Sequence, residues 1–216
     1  MLPYYIYKLI TKFIRPFIAF YILIRISRGK EDRTRIAERY GTSDVERKKG
    51  KVIWFHAASI GESLSILPLL SKLNSDKSID QIVLTTGTLT SANILKSKLP
   101  KKIIHQYIPF DIPSYVNKFL NHWNPSLAVF VESEIWPNFL TELKKRNINS
   151  LIVNGRMTIK SFKRWSILSG LSKRLFSNFS ACCTQNSDSA FFYEKLGIKN
   201  TINTCLLYTS DAADEL

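Results

Sequence analysis

The chain has 216 residues, 45% of them hydrophobic and 22% charged, which suffices for one domain with a sizeable core and is short for two. With eight Gly, eight Pro and three Cys, it is not collagen-like, low-complexity, wholly disordered or built on a disulfide framework, and its cysteine usage points to a reducing compartment. Thirty-one Lys and Arg against 17 Asp and Glu leave a formal net charge of +14, whose placement says more than its total.

Half of that excess, +7, lies in residues 1–50. Residues 1–28 are apolar as well as basic. Their longest charge-free internal run is Pro16 to Ile24, nine residues, where a membrane-spanning helix needs about 20 apolar residues. Lys8, Lys12 and Arg15 follow 4,3 spacing and share one helix face. Tyr4, Tyr5, Ile6, Leu9, Ile10, Phe13 and Ile14 cover the rest, continued by Phe17 and Phe20. This pattern predicts a helix lying in a membrane interface; a buried N-terminal helix of a soluble fold is the alternative. A secretory signal fits poorly, because Arg-Ile-Ser-Arg-Gly-Lys follows the apolar stretch in place of a small-residue cleavage site. Anionic lipid head groups or an anionic lipid substrate suit such an end. No nucleic-acid partner is expected, since no zinc spacing, RNP-like strand or recognition-helix pattern accompanies the charge. Residues 29–50 are polar and charged and read as a connector.

From residue 51 short apolar runs alternate with helical patterns. The strands are predicted at Val52–Ala57, Gln81–Thr86, Ile103–Ile108, Leu127–Glu132, Ser150–Val153 and Ser180–Thr184. The helices are predicted at Gly61–Leu73, Ser91–Leu99, Pro113–Asn121, Trp136–Arg146, Ser161–Phe176 and Ser187–Leu196. Near-continuous apolar strands between helices predict an α/β, Rossmann-like parallel sheet covered on both faces over residues 51–204. Ligands bind such sheets at the carboxyl ends of the strands.

The candidate residues follow from that rule. The first strand leads into His56-Ala57-Ala58-Ser59-Ile60-Gly61-Glu62, where small residues and Gly61 admit a ligand close to the backbone. Glu62 stands at a helix start, where the dipole and free N–H groups favour a carboxylate; it reads either as a general base or as a helix cap. His56 reads equally as packed or catalytic. Pro68 predicts a kink in the following helix. Thr85-Thr86-Gly87-Thr88-Leu89-Thr90 ends the second strand, and its hydroxyls suit a phosphate or sugar, or a helix cap. Glu132 and Glu134 leave an apolar strand at its carboxyl end and point to one side if the strand persists, so that one carboxyl is expected to titrate high. Pro137 suits the first turn of the next helix. Glu-x-Glu alone is a weak metal signal. Arg156 can grip an anionic group or pair with Glu132 or Glu134.

Taken in order, HAASIGE, TTGTLT, P-F-D-x-P, F-V-E-S-E-I-W-P-N and N-G-R-M, with the earlier Glu38-Arg39-Tyr40-Gly41, resemble the motifs of the 3-deoxy-D-manno-octulosonic acid (Kdo) transferases of Gram-negative lipopolysaccharide synthesis. The resemblance spans roughly residues 1–204. It implies the N-terminal half of a two-domain GT-B glycosyltransferase that inverts configuration. The reaction it implies is transfer of Kdo from CMP-Kdo to a lipid A precursor, lipid IVA, at the cytoplasmic face of the inner membrane, with a monotopic anchor. It implies no metal and no cofactor besides the donor substrate. Glu62 falls on the family's catalytic base and Glu132 on a carboxylate assigned to transition-state stabilisation. Ser59, Gly61, Thr86, Thr88, Glu134 and Arg156 are then expected around the acceptor, and Lys8, Lys12, Arg15, Phe17 and Phe20 at the membrane. Gly155 stands where members often carry Ala, a change with no cost visible in the sequence.

The chain departs from the family pattern after Thr204. Residues 205–216, CLLYTSDAADEL, replace the expected Gly-Ser/Asn-Leu-Lys-Phe/Tyr-Asp continuation and back-translate to a string resembling a transposase-type sequencing adapter. They are expected to be an adapter-derived tail, with a genuine short homologue as the alternative. Without them residues 1–204 carry +17. The chain is then expected to be an acceptor half without its CMP-Kdo-binding domain, inactive in transfer by itself. A membrane-associated lipid-binding module without catalysis is the competing reading.

Overall fold

A computed structural model of the chain describes residues 2–100 and 103–204; the expected adapter-derived tail lies outside the described residues. Helix α1 runs Leu2–Ser27, and a short turn leads to α2, Ile36–Arg39. Then follow β1 (Val52–His56), α3 (Ile60–Ser65), α4 (Leu67–Asn74), β2 (Gln81–Thr86), α5 (Leu89–Lys98), β3 (Ile103–Tyr107), α6 (Pro113–Trp123), β4 (Leu127–Val131) and α7 (Pro137–Lys145). The chain continues through β5 (Asn149–Gly155), α8 (Ile159–Ile167), α9 (Ser169–Phe176), β6 (Ala181–Thr184), α10 (Ser187–Leu196) and β7 (Thr201–Asn203). All seven strands are parallel, in the order β3-β2-β1-β4-β5-β6-β7. This is the expected Rossmann-like architecture, with one strand more than the apolar runs predict.

Side chains alternate across the sheet and divide the core in two. Val52 and Trp54 of β1 join Ala128 and Phe130 of β4 in a cluster closed by α6, α7, α9 and α10. Ile53 and Phe55 join Val129 and Val131 on the opposite face, covered by α4 and α5. Trp54 is fully buried, with the rings of Phe119, Phe139 and Phe130 at 4.9, 5.0 and 5.3 Å, and its indole N–H donates to Thr85 Oγ1 at 2.8 Å. Burial of such a ring contributes on the order of 2–3 kcal/mol.

Two predicted helices are interrupted. Gly61–Leu73 breaks at Ile66, because Pro68 cannot donate and sits instead in the first turn of α4. Ser161–Phe176 breaks at Leu168, whose backbone leaves the helical region at φ −102, ψ 47.

The charged connector folds onto the sheet edge. Arg39 is buried and makes a two-pronged ion pair with Glu31, at 3.0 and 3.1 Å, while donating to the carbonyls of Gly87 and Ile108. Glu38 accepts from the Tyr107 amide at 2.7 Å and from Arg35. These charges point inward, which composition alone does not register.

Helix α1 is apolar on two faces. Ile18 and Ile22 pack on Ile112 and Tyr115, and Tyr4 is buried as well, so it leaves the outward set to which its spacing assigns it. Phe13, Phe17, Phe20, Leu9 and Ile10 stay exposed on the other side, Phe13 at 69%. Among the described residues no helix is long and apolar enough to cross a membrane.

One buried carboxylate clips α1 to the body. Asp111 accepts from the Asn138 amide (3.0 Å), the Phe139 amide (3.0 Å) and the Tyr7 hydroxyl (2.9 Å), and Asn138 also donates to Thr11 Oγ1. It thereby caps α7, whose own cap position is Trp136. Burial pushes the Asp111 carboxyl up from 3.8 to about 6, with the three hydrogen bonds opposing. Because the folded value lies above the unfolded one, the folded chain holds more protons between about pH 4 and 6. This group's contribution to stability is therefore fully present below the unfolded value and lost as pH rises through 6. Relative to Asp111→Asn, the chain should lose about 2 kcal/mol of stability between pH 4 and 7, at 1.36 kcal/mol per pKa unit. Urea unfolding over that range measures the difference, and parallel pH curves for the two proteins would contradict it.

Candidate active site

The strand order reverses direction between β1 and β4, because β2 and β3 lie to one side and β5 to β7 to the other. In open α/β sheets the crevice outside the carboxyl ends at such a reversal is where ligands bind. Glu62 follows β1 and Glu132 follows β4, so the two expected carboxylates flank that crevice.

Glu62 sits at the start of α3. The Ser59 hydroxyl accepts from the Glu62 amide at 3.2 Å, and Glu62 Oε2 accepts from the Ala58 amide at 2.8 Å. This is a capping box shifted by one residue, so the capping role is realised. It occupies one carboxylate oxygen. The other, Oε1, bonds to no described residue, although Glu62 as a whole is buried. Capping thus orients Glu62 and leaves one oxygen available as a proton acceptor.

Glu132 and Glu134 do not share a side, because the strand stops at Val131. Glu132 adopts a left-handed backbone, φ +60, with its amide still donating to the Val153 carbonyl at 3.0 Å. Such a backbone in a residue other than Gly or Asn costs about 1 kcal/mol or more and persists where the surroundings enforce it. The next strand carries the same feature at Asn154, φ +54. Glu132 is half-buried, and burial, then the charge of Glu62, then that of Glu134, raise its pKa, while Arg156 opposes them. Glu134 turns the other way. It accepts from Trp136 Nε1 at 2.8 Å and lies 3.5 Å from His56 Nε2. That second contact is an ion-pair distance without hydrogen-bond alignment. Burial raises the Glu134 carboxyl, but its His56 and Trp136 partners outweigh burial and bring it below the ordinary value.

The remaining candidates take varied positions. Arg156 is exposed, and no ion pair joins it to Glu132 or Glu134; it acts on Glu132 through its field. Thr86 is buried, with its hydroxyl 2.9 Å from His105 Nε2. Burial, with Arg35 and Arg39 nearby, lowers His105 to about 3. Thr88 caps α5 through the Ser91 amide. Gly61 borders open space.

Two contributions escape the sequence reading. Tyr193 of α10, fully buried, donates to the Glu132 carbonyl at 3.1 Å and the Arg156 carbonyl at 3.4 Å, tying the exits of β4 and β5 together. No spacing signal links residues 61 positions apart. Gly155, standing in place of a family Ala at no cost visible in the sequence, is closely packed: a methyl there would lie 2.8 Å from Cys182 Sγ and 3.1 Å from the Tyr193 ring.

The carboxylates share a field, and this is measurable. Glu62→Gln, which keeps an acceptor for the Ala58 amide, should lower the pKa of Glu132, and Arg156→Gln should raise it. Carbon-13 NMR titration of the Glu132 carboxyl reads both shifts; an unchanged titration in either variant would separate the groups.

The geometry meets a family at this point. Residues 34–207 match the family model described as 3-deoxy-D-manno-octulosonic-acid transferase (kdotransferase). The chain is 36% identical over 198 residues to a 3-deoxy-D-manno-octulosonic acid transferase of Rickettsia bellii (strain RML369-C), covering 92% of this chain and 47% of that protein. It is 31% identical over 206 residues to the transferase of the same name from Haemophilus influenzae (strain ATCC 51907 / DSM 11121 / KW20 / Rd), covering 94% and 48%. A third, from Rickettsia felis (strain ATCC VR-1525 / URRWXCal2), is 38% identical over 152 residues, 70% of this chain and 32% of that one. The chain spans less than half the length of these curated relatives. On the family match and these identities, the chain belongs to the 3-deoxy-D-manno-octulosonic-acid transferases.

Proposed function

We propose that this stretch is the acceptor side of an inverting glycosyltransferase that moves Kdo from CMP-Kdo to a lipid A precursor, lipid IVA, in lipopolysaccharide synthesis. The observation that carries the reading is the pair of carboxylates across the sheet's reversal point, one of them with a free, oriented oxygen. In this reading Glu62 Oε1 takes the proton from an acceptor sugar hydroxyl as that oxygen attacks the anomeric carbon of Kdo. The bond to the CMP phosphate breaks and CMP leaves with the electron pair. Glu132, half-buried beside the reacting centre, faces the positive charge that develops on the sugar. Arg156, exposed at the exit of β5, meets an anionic group of the acceptor. Ser59 orients Glu62, and Glu134 with Trp136 and His56 forms the crevice wall; Gly61, Thr86 and Thr88 shape the backbone around it.

The outward apolar face of α1, with Lys8 and Lys12 beside it, suits the surface of an anionic bilayer, with α1 as a monotopic anchor on the cytoplasmic side. Arg15 lies 5.8 Å over the Tyr115 ring and serves the docked side as well. The second reading, a lipid-binding module without catalysis, describes the 216 residues acting by themselves, since they span under half of the relatives' length.

In a full-length transferase containing this stretch, Glu62→Gln should lower transfer to lipid IVA by about 10²- to 10⁴-fold, the range of general base catalysis, with vesicle binding unchanged. Mass analysis of the lipid product checks this, and near-normal turnover would remove Glu62 from the base role. The 216-residue chain alone should retain lipid IVA in vesicles and release no CMP from CMP-Kdo; measurable Kdo transfer by it would overturn the assignment of donor chemistry to a separate part.

A further inference from the structure

The N-terminal segment is not the only concentration of positive charge. Residues 143–187 contain nine Lys and Arg and no acid. Five of the nine, Lys160, Lys163, Arg164, Lys173 and Arg174, lie on α8 and α9. None of these five makes an ion pair among the described residues. The two helices form a hairpin about Leu168. Its inner side is fixed by packing: Phe162 stacks on Phe192 at 4.6 Å, and Trp165 meets Phe176 edge-on at 5.3 Å. The Ser172 hydroxyl bonds to the Trp165 and Leu168 carbonyls and holds the corner. The outer side is therefore committed outward. It carries Ile159, Ile167 and Leu168 among the five cations, and Ile167 at the tip is 81% exposed.

An exposed aliphatic tip on helices that carry cations without ion-pair partners among the described residues is costly in water and favourable at one kind of surface. Head-group phosphates neutralise the cations while the acyl boundary takes the tip. A nucleic acid would reward the charges and leave Ile167 and Leu168 in water. The hairpin also abuts α1, since the Arg174 guanidinium lies 5.9 Å over the Tyr4 ring. It begins three residues after Arg156.

We propose that the tip of the α8–α9 hairpin is a second contact with an anionic lipid surface, separate from α1. The body then rests on the bilayer at two places and its tilt is set by both. This rests on the reading of α1 as a lipid-facing helix.

The test is flotation of the 216-residue chain with vesicles of phosphatidylcholine, with and without phosphatidylglycerol. The triple variant K160Q/K163Q/R164Q should bind the phosphatidylglycerol vesicles at least about tenfold more weakly, from the contribution of cations near an anionic surface. The variant I167S/L168S should weaken binding to both kinds of vesicle. Amide exchange of the unsubstituted chain should slow at residues 163–170 when anionic vesicles are added. If both variants bind as the parent does, or exchange at 163–170 is unchanged, the hairpin proposal falls while α1 stands. If F13S/F17S also binds as the parent does, the reading of α1 falls with it. Loss of duplex-DNA binding in the triple variant, with I167S/L168S indifferent to lipid, would assign the surface to nucleic acid and overturn the proposal.

Discussion

The arrangement hangs on one buried carboxylate. Asp111 stands between three segments far apart in sequence: the loop after β3, the first turn of α7 and the outer helix α1. Moving a carboxylate out of water costs several kcal/mol unless donors replace the lost hydration. Here the two amides at the start of α7 and the Tyr7 hydroxyl supply them. Each partner needs the others, since α7 begins on a residue with no capping side chain and α1 has little core of its own. The start of α7 is also the end of the Glu132–Asn138 segment. The same interaction that docks the outer helix α1 therefore sets one end of the crevice wall.

The crevice gets its chemistry from how the chain leaves two adjacent strands. After β1 it turns directly into α3, and the helix start takes up one oxygen of Glu62. After β4 it reverses at Glu132, which separates two carboxylates that a continuing strand would hold together. Glu132 is left to the field of Glu62 and Arg156, and Glu134 to His56 and Trp136. Tyr193 holds the backbone of this exit from the opposite layer. Two acids two residues apart thus acquire pKa values displaced in opposite directions, the condition for giving them different work.

Much of this was legible in the sequence because parallel strands are buried on both sides. Val52–His56, Gln81–Thr86 and Leu127–Val131 are apolar enough to stand out, and the carboxyl-end rule then gathers Glu62, Glu132 and Glu134 as candidates; only the family resemblance gives Glu62 and Glu132 their roles. Strand β7 is invisible for the opposite reason: its three residues hold one aliphatic side chain, Ile202, which is exposed. The end of β4 is equally hidden, since nothing in Val-Glu-Ser-Glu announces a left-handed glutamate. Glu31 and Arg39 read as solvated charge because composition counts them separately, whereas the structure desolvates them as a pair. Tyr7 and Asp111, 104 residues apart, leave no periodic trace.

The positive charge is concentrated in two stretches, a net +7 in residues 1–50 and nine Lys and Arg without an acid in residues 143–187. Within the first, Arg39 and Arg35 are paired with Glu31 and Glu38 and bind the connector to β3. On the proposed reading, a charged rim with an apolar outer helix puts the crevice where a lipid's sugar head would enter. The most direct test of that placement is cross-linking with a lipid A precursor bearing a photoreactive group on its acceptor sugar, in anionic vesicles, with adducts located by peptide mass. The account predicts adducts in residues 56–63 and 132–138. Adducts confined to residues 2–27, with none at either strand exit, would contradict it.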